Sequence, residues 1–215
     1  MPRFRILHRR AVTLQKDVQG AALLEFAIAL PLLVVFVVGI YDFSGAYNLK
    51  QKIAQAAQEG AIIAGSEPSS DIGGSSLSSN PPSLQAVVAA VFNSLAGSGV
   101  LANVNQTGTT CKPPGTVSGP VGLTWTYAIT GCSNNPSGTA GCMGDTSDTL
   151  HIQINRGWVP PSGTSTPTVF VEGSSVTVSY DYDWRFNSVI QLLFPGAGYA
   201  ARTCVSEISN VHNQN

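Results

Sequence analysis

The carboxylates of Asp181 and Asp183 are the first candidates for chemistry in this sequence. They alternate with aromatic residues in the segment SSVTVSYDYDWRF, so on a β-strand they would share one face, about 7 Å apart. A hydrolase could use such a pair as an acid and as a base or nucleophile. The solvated polar face of an ordinary strand gives the same pattern, and we favour this second interpretation.

The remaining polar residues do not form a catalytic or metal-binding set. His151 is predicted on the polar face of a strand, with no acid or nucleophile at a telling distance in the sequence. Asp145 and Asp148 lie in a loop that lacks the ligand pattern of an EF-hand. The net charge of −1 gives the whole chain no bias toward nucleic acid. We therefore predict a protein that is not an enzyme and that uses no cofactor and no metal.

Four cysteines predict two disulfide bonds, because an even number in an oxidising compartment favours pairing. All four lie in the part of the chain expected outside the cytoplasm, and the sequence leaves the three possible pairings open. The absence of a CxxC motif argues against a zinc site. The four residues are Cys111, Cys132, Cys142 and Cys204.

Glu25 is an acid inside an otherwise apolar run, AALLEFAIALPLLVVFVVGIY. The run from Ala21 to Tyr41 covers 21 residues, or about 31 Å of helix, which just spans the hydrocarbon core of a bilayer. An ionised and unpaired carboxylate in hydrocarbon costs about 2.5 kcal/mol or more. Either the run is not a membrane helix, or Glu25 has a function there.

A basic segment precedes the apolar run. Because Lys and Arg stay on the cytoplasmic side of a membrane helix, we predict a cytoplasmic leader at 1–20 and a single membrane span at 21–41. The rest of the chain would then lie outside the cytoplasm. The basic residues of the leader are Arg3, Arg5, Arg9, Arg10 and Lys16, against the single acid Asp17.

The residues around Glu25 resemble the processing motif of type IV prepilins. The order is a basic leader, Gly20, four residues, Glu25, Phe26 and an apolar helix. The resemblance implies that a membrane prepilin peptidase cuts after Gly20, so that the mature chain would start at Ala21. The new α-amino group of one subunit could then pair with Glu25 of a neighbour, because two opposite charges are tolerated together where each alone is costly. Glu25 would thus set the register of subunits in a filament.

A longer stretch, residues 18–65, resembles the TadE-like family of minor pilins and pseudopilins of the Tad (Flp) pilus system. The resemblance implies a bacterial inner-membrane protein with a periplasmic head and a role in pilus assembly, adhesion, biofilm or secretion. It also implies three partners: a prepilin peptidase, other pilins, and an inner-membrane assembly platform. Ile62 departs from the family pattern, where Arg is frequent. The matching residues are Gly20, Glu25, Phe26, Pro31, Gly39, Glu59 and Gly60. Among them, Pro31 is expected to bend the helix, because proline removes a backbone hydrogen bond.

One alternative concerns processing. Ser44 and Ala46 are small residues at the spacing that a conventional signal peptidase uses, so a cut after Ala46 would release an exported binding module that starts at Tyr47. Against this, the apolar run is longer than the usual signal core of about 7 to 15 residues, and it contains an acid.

The elements that carry these residues predict an α+β fold of pilin type, with a long helix followed by a small antiparallel β-sheet head. Residues 42–65 extend the membrane helix with an amphipathic pattern. Residues 66–82 are rich in Ser, Gly and Pro and are predicted to be a linker. The head covers 83–215 and opens with a short helix, which Ser83 caps and Gly97 ends.

Period-two alternation predicts three strands in the head. The C-terminal segment GYAARTCVSEIS fits either a strand or a helix. The residues expected to face the core are Leu123, Trp125, Tyr127 and Ile129 in the first strand, Leu150, Ile152 and Ile154 in the second, and Val176, Val178, Tyr180, Tyr182, Trp184 and Phe186 in the third.

Overall fold

Two helices precede an antiparallel sheet. The computed structural model describes residues 18–72, 78–104, 108, 110–133, 142–144, 149–158, 172–185 and 202–214. The helices are α1 (Val18–Ser66) and α2 (Pro82–Gly97), and the strands are β1 (Thr116–Val121), β2 (Thr124–Ile129), β3 (Leu150–Trp158), β4 (Gly173–Asp183) and β5 (Arg202–His212). This arrangement confirms the predicted α+β fold.

Helix α1 is continuous over 49 residues. Most side chains of its first half are exposed, whereas one face of its second half is buried in the head. The buried residues are mostly small, which lets the helix approach the sheet closely. They are Ile53, Ala56, Ala57, Ala61 and Ala64. The helix continues on both sides of Pro31, and the bend expected there stays a prediction.

In the described residues the sheet has five strands in the order β1-β2-β3-β4-β5, and every neighbouring pair is antiparallel. One face packs against α1 and α2, and the predicted alternation places nine residues of this face in the core. They are Trp125, Tyr127 and Ile129 of β2, Leu150, Ile152 and Ile154 of β3, and Val176, Val178 and Tyr180 of β4.

Three other residues of the predicted core face behave differently. The prediction for Leu123 is wrong, because this residue precedes β2 and is 39% exposed. Tyr182 and Trp184 are half-buried and contact α1 instead of the centre of the core. Phe186 lies outside the described residues.

The two edge strands were not resolved by the sequence pattern. Strand β1, with the sequence TVSGPV, was not predicted, because Gly119 and Pro120 break the alternation that marks a strand. The C-terminal segment is a strand and not a helix, since β5 pairs with β4 from Arg202 to His212.

The junction between the helices is held by specific contacts. The carboxylate of Asp71 accepts hydrogen bonds from the Ser83 backbone N–H and hydroxyl, both at 2.8 Å. The predicted role of Ser83 is therefore wrong, because the N-cap position belongs to Pro81 and the acceptor comes from Asp71. Helix α2 ends at Gly97 as predicted, and Gly99, with φ of 70°, turns the chain away.

The described parts of the predicted linker pack on the head. The Trp125 indole N–H donates to the Ser78 carbonyl at 3.1 Å, and the Tyr127 hydroxyl lies 3.2 Å from the side-chain oxygen of Asn80. The buried guanidinium of Arg156 donates to the carbonyl of Glu67 at 2.8 Å, just beyond the end of α1. The segment from the end of α1 to α2 is thus fastened to the sheet on both sides of 73–77, which lie outside the described residues.

The second face of the sheet is not the solvated surface that the alternation predicted. Asp181 is only 7% exposed, and His151 and Ser179 are also buried. The expectation of a solvent-exposed polar face is therefore wrong around these residues. Alternation shows which side chains share a face, but it does not show whether that face is covered.

Candidate functional site

The predicted processing and assembly residues lie in the first turns of α1. The helix begins at Val18, so Gly20 and Ala21 are already helical. Glu25 is exposed, and Phe26 next to it is 63% exposed. The structure thus places these four residues on one short helical segment, on which Glu25 and Phe26 are not covered by the head.

The apolar half of α1 has no partner surface among the described residues. It belongs to the one helix in the described ranges that is long and apolar enough to cross a membrane, and no residue of its most apolar stretch is buried. Gly39 lies in this half, and a β-carbon there would meet nothing within 4 Å. So large an exposed apolar surface marks a region that contacts lipid or other helices.

The other two predicted family-pattern residues lie in the packed half of α1. Glu59 is exposed, whereas Gly60 is buried where α1, α2 and β4 meet. A β-carbon at Gly60 would lie 2.4 Å from Val91 Cγ2 and 3.3 Å from Val176 Cγ1. Gly60 therefore permits the close approach of three elements. Packing alone explains why glycine is needed at this position.

Five residues form a contact between α1 and the end of β4 that the sequence did not reveal. We call this set the aromatic collar: Tyr41, Phe43, Tyr182, Trp184 and Arg185. The Tyr182 hydroxyl donates to the Asp42 carbonyl at 2.9 Å. The rings of Phe43 and Trp184 meet edge to face, with 5.4 Å between centroids. The aromatic residues at the end of the third predicted strand are the sequence feature that marks this contact. Period-two alternation alone predicts that they face the core.

The collar is held closely against the helix. A β-carbon at Gly45 would lie 2.4 Å from the Tyr182 hydroxyl, so a side chain at position 45 would displace this hydroxyl. The Trp184 indole N–H donates to the Thr203 hydroxyl at 2.7 Å. Burial raises the pKa of Tyr182, and the charge of Asp42 raises it further, while Arg185 lowers it. Tyr182 is therefore a neutral hydrogen-bond donor at physiological pH.

The four cysteines form two disulfide bonds, and the structure resolves the pairing that the sequence left open. Cys111 pairs with Cys132, and Cys142 pairs with Cys204. The first bond ties the segment before β1 to the segment that follows β2. The second ties the 3₁₀ turn at Cys142–Gly144 to β5, beside the end of β4.

The two carboxylates that could have served a hydrolase have structural partners. The Asp181 carboxylate accepts the Cys142 backbone N–H at 3.0 Å. Burial raises the pKa of Asp181, although this hydrogen bond and the charge of Arg202 lower it. Asp183 forms an ion pair with Arg202. Asp181 also lies close to the sulfur atoms of Cys142 and Cys204, but these are bonded to each other and offer no thiolate to a metal.

A cleft of about 680 Å³ lies between α1 and the end of β4. Its wall includes Lys52, Asp181 and Asp183. The Lys52 ammonium donates to the Ser98 carbonyl at 2.8 Å, and the two carboxylates are engaged as described above. Each of these charged groups therefore has a partner within the protein.

The comparison with known families finds a likeness in the N-terminal helix. The family model described as TadE-like protein matches residues 20–61. The N-terminal helix is TadE-like. The match starts at the predicted processing glycine and ends just after Gly60, so it contains every residue on which the resemblance was based. No curated protein matches the chain significantly, and no solved structure does.

The TadE-like segment covers both halves of α1 and ends before α2 and the sheet begin. The match to this pilin-like family accords with the long apolar N-terminal helix and the small disulfide-bonded head. The TadE-like segment thus supports a pilus-related protein anchored by one helix.

Proposed function

We propose that this protein is a minor pilin or pseudopilin of a Tad-type pilus. The observation that carries the proposal is the TadE-like match over residues 20–61, in which an apolar half-helix is left uncovered by its own head. Such a helix is the part by which a pilin sits first in the inner membrane and then among the helices of a filament.

In this proposal the chain inserts with residues 1–20 in the cytoplasm and the head in the periplasm. The basic leader supports that orientation, and the two disulfides support an oxidising compartment for the head. A prepilin peptidase then cuts after Gly20. The partners are that peptidase, an inner-membrane assembly platform and the other pilins.

Glu25 would set the register between subunits. It is one helical turn from Ala21, or about 6 Å along the axis, and it is exposed on the apolar half of α1. The free amino group of Ala21 in a neighbouring subunit is a matching cation. Because each charge alone is expensive in a low dielectric, the pair is favoured only in the arrangement that brings the two together.

The first experiment determines the N-terminus of the protein purified from membranes, by intact mass and N-terminal sequencing, with and without the host's prepilin peptidase. We expect a chain that starts at Ala21 only when the peptidase is present. Gly20→Val should block the cut, while Gly39→Val is the matched control, because a side chain at position 39 meets open space. A start at Tyr47 in the soluble fraction would instead support cleavage after Ala46 and an exported binding module.

A second experiment tests the register between subunits. Glu25→Gln removes the charge but keeps the shape, so membrane insertion should be unchanged while the number of assembled pili falls strongly. Glu59→Gln is the control, because Glu59 is also exposed but lies on the half of α1 that packs on the head. Normal piliation in the Glu25→Gln strain would contradict this role of Glu25.

A further inference from the structure

We propose that the aromatic collar rests on the phospholipid headgroups of the bilayer surface from which α1 emerges. The collar would contact the layer of lipid headgroups, and Arg185 would bind a phosphate in that layer. The inference rests on the membrane anchoring of α1 in the proposed function, and it adds that the head itself docks on the membrane.

The position of the collar along α1 is the first argument. Tyr41 is the last residue of the predicted span, and Phe43 follows it by less than one turn. Strand β4 brings Tyr182 and Trp184 back to this level, since the Tyr182 hydroxyl bonds the Asp42 carbonyl. Among the described residues, the end of β4 is therefore level with the residue at which the predicted span ends.

The chemistry of the collar is the second argument. Aromatic rings with a polar end collect at the level of the headgroups, and arginine binds phosphate through its planar set of N–H donors. Phe43 is 69% exposed, and Arg185 is exposed. The guanidinium of Arg185 lies 5.9 Å from the Tyr41 ring centroid and donates one N–H to its hydroxyl at 3.4 Å. A guanidinium has five N–H groups, so further donors could reach a phosphate.

The rigidity of the collar is the third argument. Trp184 packs edge to face on Phe43 and on Tyr182, with centroid separations of 5.4 and 5.1 Å, and its N–H is fixed by Thr203. Because these contacts lock the rings to both α1 and the sheet, the collar fixes the head at one height and one orientation relative to the membrane.

The opposite end of the head gives an internal reference. The Gly65 carbonyl accepts the Gln214 N–H there at 3.0 Å, and Gly65 lies 24 residues beyond Tyr41, which is about 36 Å along the helix axis. The backbone of Trp158 pairs with Gly173 at this end of the sheet. A head that docks through the collar therefore holds Trp184 at the lipid surface and Trp158 far from it.

The test uses the full chain reconstituted at high dilution in phosphatidylcholine vesicles. Their lipids carry bromine, which quenches tryptophan, either near the headgroup end or near the terminal methyl of the acyl chain. We expect quenching by the shallow bromine, and Trp184→Phe should remove about half of it or more, because tryptophan prefers the interface. Trp158→Phe is the matched control and should leave the loss of fluorescence intensity on quenching unchanged.

Two added reporters separate this proposal from the anchoring on which it rests. Leu33→Trp places a tryptophan on an exposed site of the apolar half of α1, outside the collar. Gln58→Trp places one on an exposed site about 37 Å farther along the helix. Added quenching by the deep bromine at position 33 but not at 58 would establish the anchor. If the anchor is present and Trp184 is not quenched, docking of the head is wrong; if position 33 is not quenched either, the membrane anchoring itself is wrong.

The test does not depend on the Trp184→Phe variant folding. In Trp158→Phe the remaining tryptophans are Trp125 and Trp184, and Trp125 is fully buried in the core. Quenching in this variant therefore reports Trp184 directly. If Trp184 in this variant is not quenched by the shallow bromine at high dilution, lipid does not contact the collar and the proposal is overturned.

Discussion

The two halves of α1 have the same secondary structure and opposite surroundings. From Ala22 to Ile40 most side chains are exposed, and from Ile53 to Ala64 one face is completely buried. The first half is apolar all round, while the second places small apolar residues on one face and polar residues on the other. Helix formation is thus common to both, and the difference lies in what each half can bury and against which surface.

Residues of the same type have different roles in the two halves of α1. Gly39 and Gly60 both match the family pattern, yet one faces open space and the other allows three elements to meet. Residues of the first half are free to serve contacts with lipid or with other subunits, whereas residues of the second half hold the head together.

A pair of isoleucines gives the largest expected contrast. Ile53→Ala opens a cavity in the core, where Ile53 is fully buried, and should lower the free energy of unfolding of the head by about 2–5 kcal/mol. Ile40→Ala removes the same atoms from a side chain that is 71% exposed and should leave the stability of the head unchanged. Urea unfolding in detergent, followed by tryptophan fluorescence, measures both variants. Equal losses would contradict the division of α1 into two halves.

The two glycines give the next contrast. Gly60→Ala places a methyl group 2.4 Å from Val91 Cγ2, and this overpacking should cost about 1–3 kcal/mol. Gly39→Ala should have no measurable effect on the head, since the added methyl meets no atom within 4 Å. The same unfolding experiment applies, and an unchanged Gly60→Ala variant would mean that the elements can separate without loss.

A smaller loss of stability is expected from a change in the collar, which lies at the boundary between the two halves of α1. Tyr182→Phe removes the hydroxyl that bonds the Asp42 carbonyl and should cost about 0.5–1.5 kcal/mol. Tyr47→Phe is the control, because Tyr47 is exposed. Hydrogen exchange of amides 42–48 should increase in the first variant only. Unchanged exchange in Tyr182→Phe would show that the collar does not fasten the helix to β4.

The smallest effect concerns pH and originates in the sheet, not in either half of α1. Burial raises the pKa of Asp181 in the folded protein, so the folded state holds this proton more tightly than the unfolded state. The contribution of Asp181 to stability is therefore greatest at pH values below the pKa of aspartate in the unfolded chain. It is lost as the pH rises through the raised pKa of the folded protein.

Asp181→Asn isolates this contribution. The Asn amide oxygen can still accept the Cys142 N–H, but the residue no longer ionises. The stability of Asp181→Asn relative to the natural protein should therefore increase as the pH rises from 3 to 7. A difference that does not change with pH would show that Asp181 keeps its ordinary affinity for the proton when the protein folds.

The sequence predicted those features that depend on local pattern. The length and polarity of α1 were readable because an apolar run and an amphipathic run follow each other without a break. Strands β2, β3 and the first part of β4 were readable because apolar and polar residues alternate. The TadE-like motif was readable because its glycine, acid and aromatic residue have fixed spacing.

The features that were missed depend on contacts between distant segments. The burial of Asp181 depends on what covers the second face of the sheet, and alternation carries no information about that. Asp71 caps α2 from a segment 12 residues away, which a search for a local cap at Ser83 cannot find. The collar joins residues that are 140 apart in sequence, so its aromatic residues were assigned to the core by pattern alone.

The continuity of α1 has a mechanical consequence. The sheet is fastened along the side of one unbroken helix over about 35 Å. The contacts run from Asp42, which bonds Tyr182, to Gly65, whose carbonyl accepts the Gln214 N–H. Tension applied to the N-terminal half would run along the helix axis and load these side-by-side contacts in shear, all at once. Contacts loaded in this way yield together and not one after another, so the head would resist being stripped from its helix when the anchor is pulled.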